Sequence, residues 1–344
     1  MNAEKKKTIV FTAPNTAEVL EGNIPVATGT NVLVKLAVSS ISSGTERANL
    51  VGEVNVSIVS YDKVAHFPRY AGYSSSGTVV SVGENVIGIK SGDRVALSWS
   101  SHSQYVCINQ DNVCLLPDSV SFEDAALFHI GTFPLAAIRK CQIEIGESAV
   151  VMGMGILGMV AIKLLRTAGA TPIIAVDPVA EKRKKALEIG ADYALDPFDD
   201  NFVQTAKSLL GGGANIAIEV TGSGKALDGV LDIMAPMGRV ALLGCTRNSD
   251  FTIDYYHKVH GPGISLIGAH TNARPKFESS KGLWTQRDDV LTQIRLTELK
   301  RLNLSSLVEE THSPIEAPQV YSRLAKEKHF PIVQFDWRLL DAEN

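Results

Sequence analysis

The chain has little that would staple, anchor or charge it. It holds four cysteines, Cys107, Cys114, Cys141 and Cys245, and no two stand at C-x-x-C spacing. A disulfide framework is not expected at that density, and a reducing cytoplasm is the expected compartment. A basic excess is also missing. Lys and Arg number 33 against 37 Asp and Glu, a net charge of −4. Nucleic-acid binders usually carry a positive excess, so nucleic acid is not an expected partner. Long apolar runs are absent too. The most apolar stretch, 149–162, is interrupted by Gly153, Gly155 and Gly158 and meets Lys163. A bilayer span needs ~20 apolar residues, so no membrane association is expected. Lysines cluster at Lys5, Lys6 and Lys7 with no apolar segment behind them. That start does not read as a signal peptide.

What is present fits an ordinary globular protein: 45% hydrophobic and 20% charged residues over 344 positions. This length exceeds one domain of ~100–200 residues and suits two. The first third reads as β. Residues 31–38 alternate apolar and polar, 77–82 and 94–97 are short β-rich runs, and glycines at 72, 77, 83, 88 and 92 punctuate them. These features predict a small antiparallel barrel. Near Phe122 the texture changes. Strand candidates at 149–152, 173–176, 193–195, 216–220, 240–243 and 264–267 alternate with helical stretches, which predicts a parallel, doubly wound sheet. The expected division is 1–124 with 270–344 in one domain and 125–269 in the other.

Gly153-Met154-Gly155-Ile156-Leu157-Gly158 fits G-x-G-x-x-G, after an apolar strand and before a helical stretch. The first glycine allows the tight turn, the second lets a pyrophosphate approach the backbone, and the third lets helix and strand pack closely. The helix N-terminus offers N–H groups to phosphates. Asp177 follows the next strand, where an acid bonds ribose hydroxyls and repels a 2′-phosphate, so NAD is expected over NADP. Lys182 and its neighbours Arg183, Lys184 and Lys185 read as a solvated helix face, with a contact to a 2′-phosphate as the alternative. Thr221, Gly222 and Gly244 follow later strands, where the nicotinamide side is expected; a plain turn is the alternative for the glycines.

Taken together, the chain resembles the medium-chain dehydrogenase/reductase superfamily, the group of alcohol, sorbitol and threonine dehydrogenases. The resemblance covers nearly the full length. Its carriers are Ser43-Gly44-Thr45-Glu46, Gly72-Tyr73-Ser74 through Gly83, Gly92-Asp93-Arg94-Val95, the fingerprint, and the tail 309–324. It implies a GroES-like barrel domain, a Rossmann domain and a C-terminal return to the barrel. It further implies a homodimer or homotetramer, often joined through the sheet edge, here 264–267.

The departures concern zinc. In zinc-dependent members a Cys stands where this chain has Ser43, and a Gly-His-Glu motif reads Gly72-Tyr73-Ser74 here. Their third ligand, a Cys or Glu, aligns with His129 through Ala125-Ala126-Leu127. Zinc prefers thiolate, imidazole and carboxylate, so Ser, Tyr and one His form a poor set. The cysteine-rich lobe for structural zinc is missing, and Cys107 and Cys114 read as barrel packing. The resemblance therefore implies a member without either zinc. The alternative is that Glu46, His66 or His102 completes a site.

Without a metal, alcohol oxidation needs a hydrogen-bonding acid or base. Histidine titrates near ~6.5 and tyrosine near ~10. His129 is the expected base and Tyr73 the expected donor to the substrate oxygen. Thr45 is the expected proton relay, assisted by Ser43. Glu46 is expected to pair with Arg47 or Arg69, or to orient His129. His270, Thr271 and Arg274, with Asn272, suit a hydroxyl-rich or anionic substrate. Trp284 offers a stacking face, and 53–68 another rim. The function so implied is zinc-independent, NAD-dependent hydride transfer on a secondary alcohol, a sugar, cyclitol or polyol. The alternatives are an NAD(P)H-dependent enoyl or quinone reductase, and a non-catalytic NAD-binding protein on the same fold.

Overall fold

The computed structural model describes residues 5–56, 64–247 and 251–342. Part of the expected rim at 53–68 therefore lies outside the described residues. The chain forms two compact units, 1–130 with 290–344, and 131–289.

In the first unit, a central strand, Asn31–Ser40, organises a seven-stranded sheet. It pairs antiparallel with Ser74–Val82 on one side and with Val333–Asp336 on the other, and also takes Tyr105–Asn109. The sheet continues through Arg94–Ser98 to Val113–Leu115. A second sheet orders Thr16–Asn23, Lys5–Ala13 and Arg69–Tyr70. The alternation at 31–38 predicts one wet face. Instead almost the whole strand is buried. Val32, Val34 and Leu36 enter the barrel core with Phe11, Tyr321, Phe335 and Trp337, while Ala37 and Val38 pack on Ala126. The C-terminal return is thus built into the core. Helix Ala317–Lys326 buries Ala317, Val320, Tyr321 and Leu324, the i, i+3, i+4, i+7 spacing of an inward stripe.

The second unit is a parallel six-stranded sheet. Its order is Tyr193–Leu195, Ile173–Val176, Ala149–Met152, Ala214–Glu219, Met234–Leu242 and Ser265–Gly268. Order reverses beside Ala149–Met152, the arrangement of a doubly wound nucleotide-binding sheet. The central strands Ala149–Met152 and Ile173–Val176 are short, apolar and buried throughout, as strands covered on both faces are. Strand Met234–Leu242 starts earlier than sequence pattern suggests, since Pro236, Met237 and Gly238 lack β character and sit at an irregular register. Among the described residues no helix is long and apolar enough to cross a membrane.

The unit boundaries differ from the expected ones at both ends. Residues 270–289 group with the sheet unit rather than the barrel. Asp289 accepts from Arg139 Nε at 2.8 Å, and the Arg139 guanidinium lies 3.6 Å over the Trp284 ring. Residues 125–130 group with the barrel, where Ser74 Oγ donates to the Ala126 carbonyl at 2.6 Å.

Phe335 is fully buried in the barrel core and tilts against Tyr321. Phe335→Ala is expected to cost about 3–5 kcal/mol in urea unfolding; a loss under about 1 kcal/mol would show that this end of the core collapses around the gap.

Candidate active site

In the sheet unit, the fingerprint lies between Ala149–Met152 and helix Ile156–Ala168. Gly153 has φ +103°, a left-handed conformation that favours glycine. A Cβ on Gly158 would stand 1.9 Å from the Gly153 carbonyl oxygen, so only glycine permits this helix–turn approach. Gly155 is exposed, and a Cβ there would meet nothing within 4 Å, which leaves the backbone open to a ligand. Ile156 is buried and Leu157 half-buried, so they anchor the helix. The turn fits a dinucleotide pyrophosphate by its shape and by the helix N–H groups.

Asp177 is buried at the end of Ile173–Val176. Its Oδ2 accepts from Met154 N–H at 2.8 Å and its Oδ1 from Val179 N–H at 2.9 Å. The expected ribose acid thus also ties the second strand to the fingerprint turn. Arg183 donates to the Asp177 carbonyl at 2.7 Å and to Asp196 Oδ2 at 2.9 Å. Lys182 is half-buried on helix Ala180–Glu188.

Thr221, Gly222 and Gly244 come together around a residue that the sequence pattern did not single out. Glu219 ends its strand nearly buried. Its Oε1 accepts from Thr221 N–H at 2.7 Å and, over a shorter contact, from Thr221 Oγ1; Gly222 N–H donates to the carboxylate at 3.2 Å. A Cβ on Gly244 would lie 2.2 Å from Gly222 N, which gives both glycines a structural reason. The sequence does carry a signal: Glu219 is the one charged residue of Ala214–Glu219. Burial pushes its carboxyl up, against the downward pull of the Thr221 and Gly222 donors.

The barrel unit gathers Tyr73 and His129 as expected. Their rings meet edge-on with centroids 5.5 Å apart. A third ring, missed in the sequence, joins them. Trp99 lies 4.6 Å from His129 and 6.1 Å from Tyr73. It is 46% exposed and holds φ +61°, rare for a bulky residue and a mark of functional strain. Its backbone N–H donates to the Tyr73 carbonyl at 2.8 Å. The readable clue was an indole between serines at a strand end, Ser98-Trp99-Ser100. Ser43 and Thr45, half-buried, occupy the first turn of helix Ser43–Val51.

Glu46 takes neither expected arginine as partner. Its Oε2 accepts from Tyr321 Oη at 2.5 Å and lies 3.1 Å from His102 Nε2. Arg47 and Arg69 bond backbone carbonyls instead. His66 is exposed.

The four expected substrate residues do not form one polar patch. Arg274 donates to the Thr132 carbonyl at 2.9 Å and to the fully buried Asp289 at 3.4 Å, so it braces the fold. Trp284 stacks on Arg139, and that face is taken. His270 is half-buried, accepts from Asn272 N–H at 3.2 Å, and is pushed down by burial, toward the neutral imidazole. The Thr271 hydroxyl is buried beside it.

Zinc does not fit these donors. Ser43, Tyr73 and His129 supply one imidazole and two neutral hydroxyls, and zinc sites use thiolate, imidazole and carboxylate. Among the described residues no group of three or more His, Cys, Asp or Glu side chains could hold a metal ion.

Comparison with known proteins finds two family models. The alcohol dehydrogenase GroES-like domain matches residues 28–142, and the zinc-binding dehydrogenase domain matches 157–282. The (R,R)-butanediol dehydrogenase of Bacillus subtilis is 33% identical over 181 residues, 45% of this chain and 52% of that protein. The chain thus aligns with about half the length of that relative. The L-threonine 3-dehydrogenase of Pyrococcus horikoshii is 26% identical, covering 89% of this chain and 91% of that one. Among solved structures, galactitol-1-phosphate dehydrogenase from Escherichia coli superposes with TM-score 0.82 at 20% identity, over 96% of this chain and 99% of that one. An alcohol dehydrogenase from Escherichia coli CFT073, complexed with NADH, does so at 0.81 and 18% identity, over 97% and 100%. These likenesses establish the shared fold.

Glu219 gives a pH test. Its folded carboxyl is raised above the unfolded value, so folding favours the protonated form. That contribution is full below the unfolded value near ~4.3 and is lost as pH rises through the folded one. The melting temperature of wild type relative to Glu219→Gln is expected to fall across that window in scanning calorimetry. A pH-independent difference would contradict it.

Proposed function

The chain belongs to the medium-chain dehydrogenase/reductase superfamily, and on that premise we propose that it is an NAD-dependent, zinc-independent oxidoreductase of a secondary alcohol, a sugar, cyclitol or polyol. The observation that carries this reading is the ring cluster Tyr73–Trp99–His129, two acid–base groups beside an exposed indole in the barrel unit.

The fingerprint turn Gly153–Gly158 holds the pyrophosphate on backbone N–H groups, as its glycines permit. Asp177 faces the ribose end of that turn, and its carboxylate repels a 2′-phosphate. Arg183 does not offset this, because Asp196 holds its guanidinium. Thr221 and Gly222, fixed by Glu219, present the edge assigned to the nicotinamide side. When bound, NAD supplies the hydride acceptor. His129 takes the hydroxyl proton, Tyr73 donates a hydrogen bond to the substrate oxygen, and Thr45 with Ser43 relays the proton outward. The Trp99 indole stacks on the C–H face of a cyclic polyol. This assigns to Trp99 the role expected of Trp284. Strand Ser265–Gly268 ends the sheet with Leu266 exposed, and we assign it to a contact between copies of the chain.

The test is a steady-state screen of polyols and enones with NAD and NADP, on protein purified without a metal column and then dialysed against chelator. Turnover of a polyol with NAD, undiminished by chelation, is expected. Enone reduction with NADPH, or NADH binding without turnover, would overturn the reading, as would about one retained zinc per chain by elemental mass spectrometry. His129→Ala is expected to lower kcat by roughly 10²–10⁴-fold and Tyr73→Phe by roughly 10²–10³-fold; wild-type rates in both would remove these roles. Trp99→Gly, whose residue suits φ +61°, should keep its melting temperature while KM for a cyclic polyol rises.

A further inference from the structure

Two charged-type side chains in the barrel unit stay out of the proposed chemistry and out of water. Glu46 is 2% and His102 0% exposed. An ionisable pair so deep is costly unless every donor and acceptor is matched. Here the match is complete. Glu46 Oε1 accepts from Ser42 N–H at 2.8 Å. Its Oε2 meets Tyr321 Oη and His102 Nε2. On the far side of the imidazole, Nδ1 lies 2.7 Å from Ser39 Oγ, which in turn accepts from Trp337 Nε1–H at 2.9 Å.

Only one placement of protons satisfies all of these groups. The backbone N–H and the indole N–H can only donate. Burial and the Glu46 carboxylate push the Tyr321 hydroxyl up, so it also donates. Glu46 therefore meets a donor at each oxygen, and acting as acceptor at both leaves His102 Nε2 to donate. Ser39 Oγ already accepts from Trp337, so its own O–H points at His102 Nδ1. That nitrogen is bare, and the imidazole proton sits on Nε2, facing Glu46. An imidazolium would direct a second donor at Ser39 and leave the Ser39 O–H with no acceptor.

The same imidazole is wedged against the turn before Tyr73. A Cβ on Gly72 would stand 2.7 Å from the His102 ring. His102 N–H donates to the Ala71 carbonyl at 2.8 Å. We infer that Glu46 and His102 are positioning residues of the candidate active site: a neutral Nε2–H imidazole on a carboxylate locks helix Ser43–Val51, with Ser43 and Thr45, to the turn that carries Tyr73. The lock needs no metal. Its kinetic consequence rests on the function proposed above; its proton arrangement does not.

Two measurements test it. In long-range ¹H–¹⁵N correlation spectra of ¹⁵N-histidine-labelled wild type at neutral pH, one histidine should show a protonated Nε2 and a bare Nδ1. That signal set should vanish in His102→Asn. A protonated Nδ1 at His102 would overturn the inference. In Glu46→Gln, the amide oxygen can serve at most two of the three donors, and the amide NH₂ faces whatever donor remains. With folding confirmed by circular dichroism, kcat is expected to fall roughly 10–100-fold, the scale of a small misplacement, with NADH affinity unchanged. A folded variant with wild-type kcat would overturn the positioning role. Should Glu46→Gln fail to fold, or wild type oxidise no alcohol, the tautomer spectrum alone decides, and the latter result counts against the function rather than the lock.

Discussion

A carboxylate removed from water must be met by hydrogen-bond donors, and in this protein those donors come largely from the turns of the candidate sites. Asp177 takes the N–H of Met154 inside the fingerprint. Glu219 takes the N–H groups of Thr221 and Gly222. Glu46 takes the N–H of Ser42, at the start of the helix that carries Ser43 and Thr45. Asp289 takes two arginines and so fastens 270–289 to the sheet unit. Each acid is individually expensive to bury, and leaving one such buried acceptor unmet typically costs about 1–3 kcal/mol.

The barrel site follows from this. Where a metal would draw a helix, a turn and a second helix onto one ion, the chain offers a hydroxyl at Ser43 and a phenol at Tyr73. Neither is a zinc donor at neutral pH. What brings the helix and the turn into register is a hydrogen-bonded imidazole, with Trp99 and His129 closing the third side through ring contacts.

The sheet unit shows the same economy in space. Gly158 against the Gly153 carbonyl, and Gly244 against Gly222, are approaches that no side chain permits. These glycines are packing requirements first, and the open backbone at Gly155 is what remains for a phosphate. Packing and binding are therefore not competing explanations for the motif. The close approach creates the exposed N–H groups that a dinucleotide uses.

Local patterns alone were enough for the six parallel strands, the fingerprint and the C-terminal return, because strand periodicity and glycine spacing are properties of neighbours along the chain. Tyr73 and His129 were legible as a pair only through family resemblance, and the structure places their rings in contact. Partnerships across long separations were not legible. Glu46 lies 56 residues from His102 and 275 from Tyr321, so nothing near Glu46 distinguishes them from the adjacent Arg47. Trp284 and Trp99 are equally good stacking residues on paper. Only the fold puts an arginine on one and leaves the other exposed beside two acid–base groups. Sequence by itself determined which elements form and which turn carries the glycine fingerprint. Tertiary structure decided which charges cancel, because burial and partner choice are set by distances in space that spacing along the chain does not contain.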